Sequence, residues 1–232
     1  MATSSGHTIK AFDEDLDRLR ALISQMGGLA EHAIRESMRC LVQRDLAGAE
    51  KIVANDKKLD ALEIETERRA VQVLALRAPM AGDLRDVVAA IKISGVVERI
   101  GDYAKNIAKR VPLLESAGTI EALSLMPEMA RIATEMVHDV LNAFVERDAE
   151  AAVRVCERDR AVDDFYNSIF RTLLTYMMEN PGNIGQSTHL LFVAKNIERV
   201  GDHATNIAEM VYYAATGQHL ADRPRGEDPL AG

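Results

Sequence analysis

The chain has 232 residues, of which 47% are hydrophobic and only 4% aromatic, and it contains no tryptophan. That length can hold one large domain or two small ones, and that hydrophobic content is typical of a globular protein with a packed core. The net charge is −8, and basic residues form no block. This charge argues against nucleic acid or an anionic membrane surface as the main partner.

Targeting signals and disulfide frameworks are not visible in the sequence. The N-terminal segment MATSSGHTIKAFDEDLDR lacks the apolar region of a signal peptide, and no apolar run has the length needed to cross a bilayer. Cys40 and Cys156 stand apart from each other and from any CxxC motif, which favours two reduced thiols. We therefore expect a cytoplasmic protein that does not insert into the membrane.

The first half of the chain has the periodicity of three long helices. Asp45 is placed to cap the second helix, so the first should end near Arg44. The second helix should continue to Arg77, and the third should run from near Asp83 to Pro112. Short connections between long amphipathic helices predict a three-helix bundle. The apolar positions that define the first helix are Phe12, Leu16, Leu19, Ile23, Met26, Ala30 and Ala33.

The same plan then repeats after a linker, VPLLESAGTIEALSLMP, that is rich in small and helix-breaking residues. The segment from Gln43 aligns with that from Glu146 at an offset of 103, which makes Asp148 the second cap, and later segments align at an offset of 100. The sequence thus predicts an all-α protein of two pseudo-symmetric three-helix bundles. Its predicted parts are a flexible N-terminus (1–7), a first repeat (8–111), a linker (112–119), a second repeat (120–215) and a mobile tail (216–232).

The third helix of each repeat carries nearly the same motif, ERIGDYAKNIA from Glu98 and ERVGDHATNIA from Glu198. Each motif places a glycine between two acids, and the acids lie roughly opposite the apolar seam of the helix. Glycine in a helix interior costs about 1 kcal/mol relative to alanine. Gly101 and Gly201 therefore allow either a ligand or a closely packed neighbouring helix to approach, and the sequence favours neither.

The second helix of each repeat contributes another pair of acids. Two carboxylates four residues apart on a helix repel by roughly 0.2–0.5 kcal/mol, and isolated pairs of this kind are mostly solvated surface. In the second repeat the neighbouring acids Glu63 and Glu67 are replaced by Tyr166 and Phe170, whereas the pair itself is kept. Retention of the repulsive pair in both copies indicates that it has a use. The paired acids are Asp56, Asp60, Glu98 and Asp102 in the first repeat and Asp159, Asp163, Glu198 and Asp202 in the second.

Metal binding is one such use. Carboxylate oxygens without cysteine or a repeated histidine suit magnesium, manganese, calcium or iron better than a closed zinc site. A cation would turn the repulsion into a cross-link between helices. Arg99 and Arg199 could orient an acid or lock a helix contact, or could be exposed or ion-paired. Asn106 and Asn206 are expected to make polar contacts near the bundle face.

Catalysis has no support in the sequence. No GxxxxGK[ST], HExxH or GxSxG motif is present. The segment EMVH at 135–138 is half of a di-iron Glu-x-x-His motif, which a ferritin-like site needs twice. Tyr103 and His203 share one repeat position, and this exchange does not suit a metal ligand. The alternatives to a non-enzymatic binding protein are a carboxylate-bridged di-metal oxidase or phosphatase and a metal-free structural bundle.

Over about residues 8–215 the chain resembles the PhoU family of bacterial regulators of phosphate transport. The resemblance rests on the two ER[IV]GD…NIA segments, the Asp-x-x-x-Asp pairs, MGG at Met26 and APMAGDLR at Ala78. It implies two three-helix repeats, often in a homodimer, with metal ions held by the eight paired acids. In some members these ions are multinuclear iron or zinc clusters; manganese or magnesium would also suit the donors. The supporting motif positions are Arg99, Gly101, Asn106, Arg199, Gly201 and Asn206.

The resemblance also implies a function. It is that of a cytoplasmic, non-enzymatic adaptor between a Pst-type phosphate ABC transporter, through its ATPase subunit, and a PhoR-type sensor histidine kinase. Such a protein keeps phosphate-starvation genes off when phosphate is plentiful and restrains uptake.

Overall fold

The computed structural model describes the backbone of residues 4–114 and 121–220 and the side chains of residues 12–114 and 122–220. Regular structure within these ranges is entirely helical, which confirms the predicted all-α fold. Short 3₁₀ turns follow α4 and precede α5 and α7. The α-helices are α1 (Ser4–Gln43), α2 (Leu46–Asn55), α3 (Lys57–Arg77), α4 (Ala81–Ala108), α5 (Met126–Glu146), α6 (Ala149–Glu179) and α7 (Ile184–Thr216).

The turn that opens the second helix is the same in both repeats. The carboxylates of Asp45 and Asp148 each accept a hydrogen bond from the backbone N–H three residues further on, at 2.8 and 2.9 Å. Both predicted caps are therefore confirmed. The residue before each cap, Arg44 or Arg147, lies in the left-handed region, with φ of 55° and 57°. That conformation ends the preceding helix and reverses the chain within two residues.

The second helix of the first repeat is interrupted, so the prediction of one continuous helix to Arg77 is wrong in this detail. The break lies at Asp56, whose carbonyl accepts the N–H of Leu59 at 2.8 Å. This 3₁₀-type bond tightens the helix for one turn. Asn55 and Asp56 have side chains that compete with backbone hydrogen bonding, which weakens the helix at this point. In the second repeat α6 continues without a break through the equivalent residue.

The two repeats share one hydrophobic core, with α4 and α7 packed against each other in its middle. These helices run antiparallel, because Tyr103 contacts His203 while Arg110 contacts His189, nearer the start of α7. A pseudo-twofold axis therefore crosses the α4–α7 contact. The apolar seams of both helices are buried: Ile93, Val97, Ile100, Ala104, Ile107 and Val111, and Val193, Ile197, Val200, Ala204, Ile207 and Val211.

A buried carboxylate joins the two repeats near the start of α4. Asp86 is 5% exposed and contacts Arg20 of α1 and Arg147 of the α5–α6 turn, each at 3.3 Å. Burial raises the pKa of Asp86, and the two guanidinium groups oppose that rise. The contact with Arg147 also holds the strained left-handed turn of the second repeat against the first.

Parts of three predicted segments lie outside the described residues. They are residues 1–3 of the N-terminal segment, 115–120 around the linker and 221–232 of the tail. The predicted domain boundaries stay predictions for this reason. Among the helices that the structure describes, none combines the length and apolar character needed to cross a membrane.

We expect Asp86→Ala to lower the free energy of unfolding by about 1–3 kcal/mol, because it removes the buried carboxylate that both Arg20 and Arg147 contact. Urea denaturation measures the change. The matched control is Asp13→Ala, at an exposed acid of α1, which should change stability by less than about 0.5 kcal/mol. Equal losses in the two variants would contradict a role for Asp86 in joining the repeats.

Candidate functional site

The paired acids of the first repeat face one another across the α3–α4 contact. Glu98, on α4, is half-buried, and burial is the main reason that its pKa is raised. Neighbouring negative charges raise it further. In decreasing order these charges belong to Asp102, Glu63, Asp60 and Asp56. The structure thus brings all four predicted acids of this repeat into one cluster and adds Glu63 to them.

A lysine side chain lies between the two helices of this cluster. The ammonium group of Lys105 contacts Asp56 Oδ2 at 2.5 Å and Asp102 Oδ1 at 2.9 Å. The Asp56 side chain is only 7% exposed, and both carboxylates raise the pKa of Lys105. A single positive charge therefore already bridges acids from both helices in the first repeat.

The second repeat forms a smaller acid cluster between α6 and α7. Asp159 is 5% exposed, and burial raises the pKa of Glu198, with a further contribution from the charges of Asp202 and Asp163. The ammonium group of Lys195 lies 2.6 Å from Glu198 Oε1. The other oxygen, Glu198 Oε2, is buried and has no hydrogen-bond partner among the described residues. This oxygen could coordinate a cation or accept a hydrogen bond from a water molecule bound to one.

The two lysines come from positions that are not equivalent in the repeats. Lys105 corresponds to Thr205, and Lys195 corresponds to Gly95, at the offset of 100. The Lys195 ammonium also lies 5.1 Å from the centre of the Tyr166 ring, at the repeat position that Glu63 occupies in the first half. Each repeat thus compensates its acids with its own ammonium group, but the first cluster keeps the extra carboxylate.

Close helix packing explains the glycine in each motif. A Cβ built on Gly101 would lie 2.2 Å from Leu59 Cδ2, well inside the van der Waals contact distance of two carbon atoms. A Cβ on Gly201 would lie 3.1 Å from Asp159 Oδ1 and 3.4 Å from a methyl group of Val162. The sequence left two explanations of these glycines, the approach of a ligand or of a neighbouring helix, and the structure favours the helix. At Gly201 that helix presents an oxygen of Asp159, one of the predicted ligands.

The pseudo-twofold axis passes between Tyr103 and His203. Their rings stack with centroids 5.3 Å apart, and Tyr103 Oη lies 2.8 Å from His203 Nε2. Burial raises the pKa of Tyr103 and lowers that of His203. The charges of Asp102 and Asp202 both act on Tyr103. This pair therefore lies between the two acid clusters. The presence of Tyr in one repeat and His in the other did not predict this position.

Of the asparagines and arginines that support the motif, Asn206 makes a polar contact and the other three are exposed. Asn206 makes a polar contact, 3.3 Å from His203 Nδ1, whereas Asn106 is exposed. Arg99 and Arg199 are exposed, and the guanidinium of Arg199 lies 5.9 Å from the centre of the Tyr103 ring.

Neither lysine was predicted from the sequence as part of the site, although each stands three residues from an acid on its own helix. That spacing alone could have indicated the pairing. The EMVH segment takes part in ion pairs at the surface, since Glu135 contacts Arg131 and Arg158.

In the described part of the chain, no set of three or more His, Cys, Asp or Glu side chains forms a ready-made metal site. The assignment of the eight acids as ligands stays a prediction.

We expect Gly101→Ala to destabilise the protein by about 1–3 kcal/mol, because the added methyl group overlaps the buried Leu59 side chain. The control is Gly28→Ala in α1, where no atom lies within 4 Å of the added Cβ. That change should stabilise the helix by up to about 1 kcal/mol. Thermal unfolding of both variants measures the difference, and a gain in stability at both positions would contradict the packing explanation.

The comparisons with known proteins agree with one another. The family model of the PhoU domain matches residues 23–111 and 126–211. The chain is 55% identical over 230 residues to a phosphate-specific transport system accessory protein PhoU homologue of Zymomonas mobilis, covering 99% of this chain and 97% of that protein. A homologue of the same description from Caulobacter vibrioides is 48% identical over 221 residues and covers 94% and 96%.

Solved structures with the same fold include the crystal structure of PhoU from Pseudomonas aeruginosa. It has a TM-score of 0.85 and 33% identity and covers 89% of this chain and 100% of that one. The phosphate transport system regulatory protein PhoU from Streptococcus pneumoniae has a TM-score of 0.84 and 26% identity, covering 90% and 99%. The duplicated ER[IV]GD helices, the shared core and these matches together place the chain in the PhoU family.

Proposed function

We propose that this protein is a non-enzymatic regulator of phosphate uptake and phosphate-starvation signalling. In this proposal it is a cytoplasmic homodimer that links a Pst-type phosphate ABC transporter, through its ATPase subunit, to a PhoR-type sensor histidine kinase. The observation that carries the proposal is the 55% identity, over nearly the whole of both chains, to a protein named as an accessory of phosphate-specific transport. The homodimer, the cytoplasmic location and the kinase are carried over from the family resemblance.

Metal ions held by the acid-x-x-x-acid pairs are part of the proposal. Two observations support a cation at these places: the ammonium group of Lys105 already contacts acids from both helices, and Glu198 Oε2 is buried without a hydrogen-bond partner in the described chain. The donors are carboxylate oxygens, which suit hard cations such as magnesium, manganese or iron. A bound cation would supply positive charge that joins α3 to α4 and α6 to α7.

The protein's own residues set the conditions for binding. Lys105 and Lys195 neutralise the acids when no ion is present, so a cation competes with them for Asp56, Asp102 and Glu198. The first cluster keeps Glu63 where the second has Tyr166, and it therefore carries more negative charge. We expect the first repeat to bind cations more strongly than the second.

Asp102→Asn and Asp202→Asn should each lower the affinity for metal by at least about tenfold, because each removes a charged donor from its cluster. Elemental analysis of the purified protein gives the metal content, and melting with and without EDTA gives its effect on stability. Asp164→Asn, at an exposed acid of α6, is the control and should behave as the wild type. Metal content and melting unchanged in both site variants would remove these two acids as ligands.

The adaptor role is tested with purified ATPase subunit and the cytoplasmic part of the kinase. We expect the metal-loaded protein to retain both partners in a pull-down and to retain them less after EDTA treatment. Light scattering of the same samples measures the expected dimer. Retention of neither partner by the metal-loaded protein would contradict the proposed function.

A further inference from the structure

The first two helices of each repeat are joined differently in the two halves. In the second repeat Arg158 of α6 contacts Asp139 at 2.5 Å and Glu135 at 2.8 Å, both on α5. This forked contact, here called the Arg158 fork, holds α6 against α5.

The first repeat has no such fork. At the offset of 103, Asn55 stands in place of Arg158, and Glu36 and His32 stand in place of its two acids. Glu36 instead accepts a hydrogen bond from Arg39 of its own helix at 2.9 Å. The position without the fork lies next to the interruption of the helix at Asp56, and α2 is a separate ten-residue helix. Helix α2 packs against α1 as this separate segment.

A groove of about 510 Å³ opens between α1, α2 and α4 at this place, and we call it the α1–α2 groove. Its floor is apolar and is formed by Leu29, Ala33, Ile52 and Leu59. In the second repeat the counterpart of Ala33 is Met136, a longer side chain that is fully buried. The second repeat thus fills and closes the place that the first repeat leaves open.

The rim of the groove is basic, although the chain as a whole is acidic. The exposed side chains of Lys51, Lys58 and His32 border it. Neither lysine has a carboxylate within 4.0 Å among the residues that the structure describes.

The acids that line the groove already have cationic partners. Glu36 and Asp45 contact Arg39 at 2.9 Å each, and Asp56 contacts Lys105. The charge of Lys51 also acts on Asp45, but Asp45 already has Arg39 as a partner. Lys51 and Lys58 therefore leave positive charge at the rim that attracts negative groups from outside.

We propose that the α1–α2 groove docks an acidic amphipathic segment of a protein partner, with apolar side chains on the groove floor and Asp or Glu side chains at Lys51 and Lys58. The inference rests on the proposed adaptor function and names the chemistry of the partner segment. Helix α2 is about 15 Å long at 1.5 Å per residue, which suits two to three turns of a helix laid alongside it. Apolar side chains at i, i+3 or i+4 and i+7 would fit the floor.

Two double variants test the groove in the full chain. Lys51→Glu/Lys58→Glu reverses the charge of the rim, and His32→Glu/Asn55→Arg introduces the residues of the Arg158 fork and should close the groove. The control is Lys92→Glu/Arg171→Glu, which makes the same charge change at exposed residues outside the groove lining. Thermal unfolding of all three proteins shows whether they fold as the wild type does.

The readout is affinity for the purified ATPase subunit, for the kinase and for 12-residue peptides that tile both sequences. We expect both groove variants to bind one partner at least about tenfold more weakly, with the control within about twofold of wild type. The peptides that bind wild type should combine acidic residues with helical apolar spacing.

Different failures have different meanings. If wild type binds its partners and the folded groove variants bind them equally well, the groove proposal is overturned while the adaptor function stands. If wild type binds neither partner, the adaptor function fails and the groove proposal fails with it. Inorganic phosphate and ATP are also titrated into the wild type and the variants, and their binding is measured. Binding of either that is lost on rim reversal, with partner affinity unchanged, would assign the groove to a small anion and overturn the proposal.

Discussion

The close approach of the second helix to the third, across a glycine, is the constraint on which the acid clusters depend. Any side chain at Gly101 would overlap Leu59, and one at Gly201 would crowd Asp159 and Val162. The short distance between the helices brings carboxylates from both into one field. Burial raises the pKa of Glu98, the repulsion among these carboxylates raises it further, and positive charge nearby offsets that repulsion. Packing and electrostatics at these sites thus have one cause.

The positive charge comes from a lysine in each repeat, and the two lysines occupy different repeat positions. Lys105 reaches across from the end of its motif, whereas Lys195 stands before the second motif and lies over Tyr166. Two solutions at non-equivalent positions indicate that the acids themselves, rather than a particular ion pair, are the common feature of the repeats. A cluster with a built-in counter-charge can also fold without a metal ion, and its stability then depends less on metal supply.

Much of the fold could be predicted from local sequence, because caps and seams are local signals. Asp45 and Asp148 follow directly from their spacing to the helices that they cap, and the apolar period of α4 and α7 marks the buried face. The interruption at Asp56 could not be predicted in this way. The apolar pattern continues through it, and the break depends on two adjacent residues that are weak helix formers. The acid pairs could be recognised as candidate sites because both repeats keep them.

The bridging lysine and the open groove depend on longer-range facts. Lys105 meets Asp56 only because two helices pack in a particular register, which no single helix encodes. The groove depends on what is absent, a fork and a methionine, and this becomes visible only when the two repeats are compared in space. Sequence patterns predicted the elements well and the contacts between them poorly.

The pairing of tyrosine with histidine at the pseudo-twofold axis has a consequence for symmetry. A dimer of identical chains must place the same residue on both sides of its axis, so a contact there has to be complementary to itself. A chain that carries both halves is free of that requirement. At positions 103 and 203 it sets a phenol against an imidazole, and the two rings share one hydrogen bond within one polypeptide. One half can therefore change by mutation without altering the other, and the molecule can respond differently at its two ends.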